Sequence, residues 1–264
     1  MNAFFVALQF LTRIFLIKQT IWTEESFGKS VKFFPAIGAI LGICYLMIIF
    51  FVNFLIVGEV DFSMLLTNLQ FPALQAAIIL TSIAILTGGI HCDGFMDTFD
   101  GLFSGRDRDR MLEIMKDSRV GAFGVVSFIM LSIFEFATLF ELANLSTLKF
   151  LSAIYAAPII SRLMMVLTIA EFRYARNEGM GKAFSEYATH STLIFATIET
   201  LILLSPIMIV KENFFNLSIA LIVTISFTIY FGNFSTRKIG GVTGDVYGAV
   251  TTITELLIML TFLF

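Results

Sequence analysis

Seven apolar stretches, each long enough to cross a lipid bilayer, constrain the fold of this chain more than any other feature of its sequence. A bilayer core about 30 Å thick is crossed by a helix of about 20 mostly apolar residues. Backbone polar groups in lipid must be hydrogen-bonded within their own segment, so each stretch is predicted to be a transmembrane helix. The stretches lie near residues 35–57, 71–91, 120–143, 148–171, 193–210, 214–232 and 246–264.

The composition supports the same class of protein. The chain is 58% apolar and only 14% charged, whereas about 25% of the residues in a typical soluble domain are charged. Residues 1–17 are apolar, but they are few and include Gln9 and Arg13, which favours an interfacial or re-entrant helix over a span. We expect an all-α, polytopic integral membrane protein with about seven transmembrane helices plus this N-terminal helix. It would form a single membrane-embedded domain over residues 1–264.

Lys and Arg residues are divided unequally between the two sides of the predicted bundle. With the N-terminus inside, 14 of the 17 fall on one side, only Lys149 and Lys211 fall on the other, and Arg162 lies within a span. An excess of basic residues marks the cytoplasmic connections of membrane proteins. The segments after the second and sixth stretches are therefore predicted to face the cytoplasm. The net charge of −3 gives no reason to expect a nucleic-acid partner.

The segment after the second stretch carries a row of three carboxylates. Asp93, Asp97 and Asp100 are spaced i, i+4 and i+7, which places them within an arc of about 60° on a helix. Three like charges this close repel one another unless they are protonated, solvated or bound to cations. Hard oxygen ligands suit Mg²⁺ or Mn²⁺. The row is therefore predicted to bind a metal, the alternative being a solvated loop.

Three residues near the row are further candidates for the chemistry. His91 could orient a carboxylate or serve as a general base, although a lone histidine is more often structural. Asp117 and Arg119 close the following loop, and beside a metal site they could supply another ligand and a phosphate contact. The alternative for that loop is simple solvation.

Two more candidates lie farther along the chain. Arg162 is inside the fourth stretch, where a cation is costly, so it either binds an anion or forms a structural ion pair with Glu199, which lies at comparable depth. Lys238 and Asp245 flank a glycine-containing segment that could present backbone N–H groups to a phosphate. The alternative is a flexible connector with Asp245 as the N-cap of the next helix.

Several of these strings together resemble the cobalamin-5′-phosphate synthase family, whose members are also called adenosylcobinamide-GDP ribazoletransferases. The resemblance covers essentially the whole chain. Its most specific parts are the strings GGIHCDGFMDTFDG (88–101) and EIMKDSRVGAFG (113–124). Supporting matches lie at residues 10–13, 34–38, 161–162 and 238–248.

The resemblance implies a membrane transferase that closes the nucleotide loop of cobalamin. A ribose hydroxyl of α-ribazole, or of its 5′-phosphate, would attack the cobinamide-side phosphorus of adenosylcobinamide-GDP and release GMP, with Mg²⁺ as cofactor. It also implies the cytoplasmic (inner) membrane of a prokaryote, with the active site facing the cytoplasm. On this reading the metal ligands are Asp93, Asp97, Asp100 and Asp117, and the substrate-binding residues are Arg119, Arg162, Lys238 and Asp245, the last being either a further ligand or a cap.

Two other functions share parts of this pattern. The aspartate row is similar in general form to the motif of CDP-alcohol phosphotransferases, which would act on a lipid substrate. A cation- or proton-coupled transporter would place its acids near the middle of the membrane, on broken helices with access from both sides. The clustering of acids and cations at one face counts against a transporter.

Overall fold

The computed structural model describes residues 3–17, 23–58 and 69–264, and within them every regular element is a helix. One isolated bridge pairs Tyr174 with Val242. The helices are α1 (Ala3–Leu11), α2 (Glu24–Ser30), α3 (Phe34–Val57), α4 (Pro72–Thr87), α5 (Ile90–Leu102), α6 (Arg108–Ile114), α7 (Ala122–Leu145), α8 (Thr147–Glu171), α9 (Met180–Tyr187), α10 (His190–Met208), α11 (Lys211–Ile239) and α12 (Gly244–Thr261), with a 3₁₀ turn at Val31–Phe33. The expectation of an all-α protein is confirmed. Of the basic residues counted above, Lys18 lies outside the described ranges.

The chain is a multi-pass membrane protein, with five or six apolar spans in its described part where the sequence predicts about seven. Five helical segments are long and apolar enough to cross a membrane, and the number is six if the bent pair α4–α5 is taken as one broken span. The predicted span at 246–264 corresponds to α12, which is not among them. This helix carries Asp245, Glu255 and several threonines, and most of its side chains are buried by other helices. Most of its surface therefore contacts other helices of the bundle rather than lipid.

The helix α8 is the centre of the bundle. It packs against α3, α10, α11 and α12, and most of its side chains are buried inside the protein. A Cβ atom on Gly38 of α3 would lie 2.2 Å from the carbonyl oxygen of Pro158, and one on Gly42 would lie 2.9 Å from that of Tyr155. Small residues at this spacing let two membrane helices approach closely. They fix α3 against the centre.

The helices α4 and α5 are separated by a sharp break at two glycines. Gly88 and Gly89 have φ values of 66° and 72°, in the left-handed region that glycine adopts without steric cost. The two helices meet at 89°, and α5 then packs between α7 and α12. A Cβ atom on Gly94 would lie 2.9 Å from the carbonyl oxygen of Asp245, and one on Gly248 would lie 3.3 Å from the Cα of Gly94. The backbones of α5 and α12 are therefore in direct contact.

The connections rich in basic residues meet at one end of the bundle. Arg108 donates from Nε to the carbonyl oxygen of Ile239 at 2.9 Å, and the bridge between Tyr174 and Val242 joins two further connections there. At the opposite end, Lys149 binds a carbonyl oxygen of the C-terminal residue. The polar end thus brings together segments that are far apart in the sequence.

Arg162 is fully buried in the bundle and forms an ion pair with Glu255 of α12. Ser161 supports the pair, because its hydroxyl lies 3.0 Å from Nη1 of Arg162 and 3.3 Å from the carboxylate of Glu255. The alternative of a structural pair with Glu199 is therefore wrong, because the partner is Glu255. The contact of Arg162 with a substrate phosphate stays a prediction, which this ion pair does not support. Glu199 instead accepts a hydrogen bond from the backbone N–H of Ala36 at 3.3 Å, in the first turn of α3.

We predict that Arg162→Met and Glu255→Gln, made singly, each lower the free energy of unfolding by roughly 3–5 kcal/mol, because each leaves a buried charge without its partner. The double variant should recover part of that loss. Thermal unfolding in detergent, analysed as a double-mutant cycle, measures the coupling. Glu199→Gln is the matched control and should combine additively with Arg162→Met; coupling to Glu199 instead of Glu255 would contradict the observed pair.

Candidate active site

Asp93 and Asp97 present two free carboxylates on α5. Asp93 is exposed and Asp97 is half-buried, and neither has a hydrogen bond or an ion pair to another described residue through its side chain. The charges of Asp93, Asp245 and Asp100 all act on Asp97, and only that of Arg176 opposes them among the main influences. Like charges so arranged favour the binding of a cation.

Asp245 joins this site from the first turn of α12. The contact between Gly94 and the Asp245 backbone holds the two helices together at this point. Arg176 forms an ion pair with the Asp245 carboxylate at 2.8 Å, and both side chains are mostly buried. The N-cap of α12 is Thr243, whose hydroxyl accepts from the backbone N–H of Val246. Of the two roles open for Asp245, that of N-cap is therefore excluded.

Asp100 has a structural role that its place in the row does not reveal. Its carboxylate accepts hydrogen bonds from the backbone N–H groups of Gly121 at 2.7 Å and Gly124 at 2.8 Å, at the start of α7. A Cβ atom on Gly121 would lie 2.3 Å from an oxygen of Asp100. Both glycines thus leave room for the carboxylate, which satisfies N–H groups that a helix start leaves unpaired. Asp100 fastens α5 to α7.

Asp117 and Arg119 bind each other in the loop before α7. Arg119 donates from Nε at 3.0 Å and from Nη2 at 2.7 Å to the two oxygens of Asp117. These hydrogen bonds lower the pKa of Asp117 to about 2. The Arg119 side chain is 88% exposed. No observed contact brings either residue to Asp93 or Asp97, so their predicted roles as metal ligand and phosphate contact find no support in this arrangement.

His91 lies on the other side of α5 from the aspartates. Its buried imidazole lines a separate cavity together with Glu135 and Thr252, and its Nε2 atom has no hydrogen-bond partner within the described residues. At about 100° per residue, His91 and Asp93 point about 160° apart. This orientation does not support the hypothesis that His91 is the general base at the aspartate row.

A polar pocket of about 400 Å³ adjoins Arg176. Arg108 and Lys116 lie on its wall, and Arg108 is held in place by the carbonyl oxygens of Ile239 and Ala175. Lys238, a predicted phosphate contact, is exposed, and its Nζ lies 5.8 Å from the ring centroid of Phe234. The sequence analysis missed both arginines of this pocket, because nothing distinguishes them from the other basic residues in the connections.

The donor set at the row fits Mg²⁺ bound together with a phosphate. In the part of the chain that the structure describes, no three or more His, Cys, Asp or Glu side chains converge closely enough to hold a metal by themselves. Asp100 and Asp245 already have other partners, which leaves Asp93 and Asp97 as the free oxygen ligands. Mg²⁺ is usually held by one or two carboxylates, with water and substrate phosphates completing its shell.

Comparison with known proteins identifies the family of this chain. The family described as Cobalamin-5-phosphate synthase matches residues 3–263. The chain belongs to the cobalamin-5-phosphate synthase family. Relatives named adenosylcobinamide-GDP ribazoletransferase occur in Fusobacterium nucleatum (38% identical, 100% of this chain and 97% of the relative), Desulfitobacterium hafniense (36%, 98% and 96%) and Clostridium acetobutylicum (35%, 96% and 92%).

Family membership makes the chain a transferase of cobalamin biosynthesis. The resemblance noted from the two aspartate- and glycine-containing strings is confirmed over nearly the whole sequence. No solved structure matches the chain.

Asp97→Asn should lower the transfer rate by more than about 100-fold while raising the melting temperature of metal-free protein. The rate falls because a free ligand oxygen is lost, and the stability rises because the repulsion from three neighbouring carboxylates is relieved. Transfer assays and thermal unfolding in the presence of a chelator measure the two effects. A fall in melting temperature would show that the Asp97 carboxylate stabilises the fold.

Asp100→Asn should instead lower both activity and stability, the latter by about 1–2 kcal/mol, because the start of α7 loses a charged cap. The amide can accept one of the two backbone hydrogen bonds but not both. Asp93→Asn, at an exposed position with no side-chain partner among the described residues, is the matched control, and its melting temperature should not fall, because it loses only the repulsion from Asp97. Equal stability of the Asp100→Asn and Asp93→Asn variants would contradict the capping role.

Proposed function

We propose that the chain joins adenosylcobinamide-GDP to α-ribazole, or to α-ribazole 5′-phosphate, and releases GMP, with Mg²⁺ at Asp93 and Asp97. The observation that carries the proposal is the meeting of two helices at Gly94 and Asp245. It places two free carboxylates beside an arginine at the end of the bundle where the cations gather. The names of the relatives, adenosylcobinamide-GDP ribazoletransferases, support this choice of substrates.

The arrangement suits transfer between phosphates. Mg²⁺ bound at the two aspartates would supply a positive charge for the phosphate oxygens and orient the pyrophosphate. Arg176 is already held by Asp245, so its guanidinium is oriented before substrate arrives, and planar guanidinium groups bind phosphate through two parallel hydrogen bonds. Arg108 extends the same cationic wall away from the aspartates. Preorganised charge of this kind stabilises developing negative charge without further rearrangement.

The transfer itself needs one bond to form and one to break. The ribose hydroxyl oxygen bonds to the cobinamide-side phosphorus, the bond from that phosphorus to the bridging oxygen breaks, and GMP leaves with the electron pair. The proton of the hydroxyl passes to a carboxylate. Asp93 is suited to accept it, because it is exposed and has no hydrogen-bond partner among the described side chains.

The proposed location is the cytoplasmic (inner) membrane of a prokaryote, with the site on the cytoplasmic side, as one membrane-embedded domain. The support is the uneven division of Lys and Arg, together with the contacts that gather Arg108, Arg176 and the aspartates at one end of the bundle.

The decisive experiment uses the purified full chain in detergent with adenosylcobinamide-GDP. GMP release should require both an α-ribazole acceptor and Mg²⁺, and chelation should abolish it. Asp97→Asn should be inactive, and Glu199→Gln, remote from the row, should be active. GMP release without acceptor would indicate a hydrolase. Transfer from a CDP-alcohol to a lipid acceptor would instead support the rival reading of the aspartate row.

A further inference from the structure

A second open pocket, of about 480 Å³, lies between the N-terminal segment and the break between α4 and α5. Among the described residues on its wall, Asp93 is the one carboxylate and Arg13 is the one cation. The pocket shares no residue with the pocket beside Arg108 and Arg176. The free carboxylate of the proposed site therefore faces a compartment of its own, which the reaction scheme above does not use.

Arg13 is held at this pocket without being neutralised. Its backbone N–H donates to the carbonyl oxygen of Leu86 at 2.7 Å, which ties the N-terminal segment to the end of α4. Its guanidinium lies against Gly88, where an added Cβ would come within 1.9 Å of Nε. In the described ranges, the Arg13 side chain has no hydrogen bond or ion pair. An exposed cation fixed this way is available to an anion.

The rest of the wall is partly polar and partly apolar, with the side chains of Gln9, Thr12 and Thr87 beside an aromatic ring. Phe10 and Met96 line the pocket, and Phe10 packs against Phe27, Phe34 and Phe184 with ring centroids 5.0–6.5 Å apart. Such a cluster is rigid and offers an apolar face to a flat ring. Among the described residues, the pocket thus combines an aromatic ring, polar side chains and one cation, groups that suit an aromatic base carrying a sugar phosphate.

The pocket beside Arg176 has the opposite character. Its wall includes Arg108, Lys116 and Arg176 together with the acids Asp109, Glu113 and Glu178, and no aromatic side chain from the described part of the chain lines it. Several cations suit a pyrophosphate, and the acids can accept hydrogen bonds from a guanine. The pocket with several cations therefore suits the guanosine diphosphate part of the donor, and the pocket with one cation and an aromatic ring suits the acceptor.

We propose that the pocket at Arg13 binds the acceptor, with Arg13 contacting the 5′-phosphate of α-ribazole 5′-phosphate, while the pocket at Arg176 binds the guanosine diphosphate part of the donor. This inference rests on the proposed function and deepens it. It places the ribose of the acceptor beside Asp93. It also explains why the α4–α5 break needs glycine at position 88, since a side chain there would displace the Arg13 guanidinium.

The test compares two acceptors that differ only in the phosphate. For Arg13→Ala, the KM for α-ribazole 5′-phosphate should rise about 10- to 100-fold, the loss expected for a hydrogen bond to a charged group. The KM values for α-ribazole and for adenosylcobinamide-GDP should stay within about twofold of the unmodified protein. Lys116→Ala should show the reverse pattern. Arg237→Ala, an exposed cation that lines neither pocket, is the matched control.

Three outcomes would overturn the assignment: equal effects of Arg13→Ala on both acceptors, an effect on the donor alone, or no preference of the unmodified protein for the phosphorylated acceptor. Calorimetric titration of α-ribazole 5′-phosphate without donor separates this inference from the proposed function. Binding that depends on Arg13 in a protein that releases no GMP would uphold the pocket and refute the reaction. If the unmodified protein releases GMP but Arg13→Ala binds α-ribazole 5′-phosphate as tightly as it does, the reaction would be upheld and the role of Arg13 refuted.

Discussion

The contact between α5 and α12 at Gly94 and Gly248 is the constraint on which the site depends. Two helices whose backbones touch can bring short side chains such as aspartate within a few ångströms, which larger residues at those positions would prevent. The contact sets Asp97 close to Asp245. It also concentrates negative charge, which the protein tolerates because Arg176 compensates Asp245, backbone N–H groups bind Asp100, and Asp93 and Asp97 are free to bind a cation. The packing of the two helices thus offsets the repulsion between these carboxylates, which in turn favours the binding of a cation.

Periodicity and hydropathy predicted the class of fold and the row of aspartates, because both depend on local sequence. A membrane demands long apolar helices, and helical spacing puts Asp93 and Asp97 on one face whatever surrounds them. Hydropathy did not distinguish α12 from the spans that face lipid, because burial by protein and burial by lipid both favour apolar residues. The sequence also did not predict that Asp100 caps the start of α7. Its spacing continues the row, and only the approach of α7 shows that its oxygens are already occupied.

Pairings between distant residues could not be predicted from the sequence. The position of a residue within a span gives its depth in the membrane, but it does not give the direction in which its side chain points. Glu199 and Glu255 both lie on helices that could face Arg162, and the choice depends on how each helix is rotated and which helices are neighbours. The central position of α8 against α12 decides it in favour of Glu255. Arg176 is a similar case. It lies in an irregular connection between α8 and α9, where no periodicity predicts which way a side chain points.

The hydrogen bonds from Gly121 and Gly124 to Asp100 hold together the two ends of the connection between α5 and α7. A loop whose two ends are fixed pays little for extra length, since closure entropy grows only with the logarithm of its size. Gly105, with a left-handed φ of 70° and no atom near its missing Cβ, marks an open turn within that connection. A small rigid domain could be inserted there as a fiducial for single-particle electron microscopy, giving a mostly membrane-embedded protein of 29.5 kDa the external mass that image alignment needs.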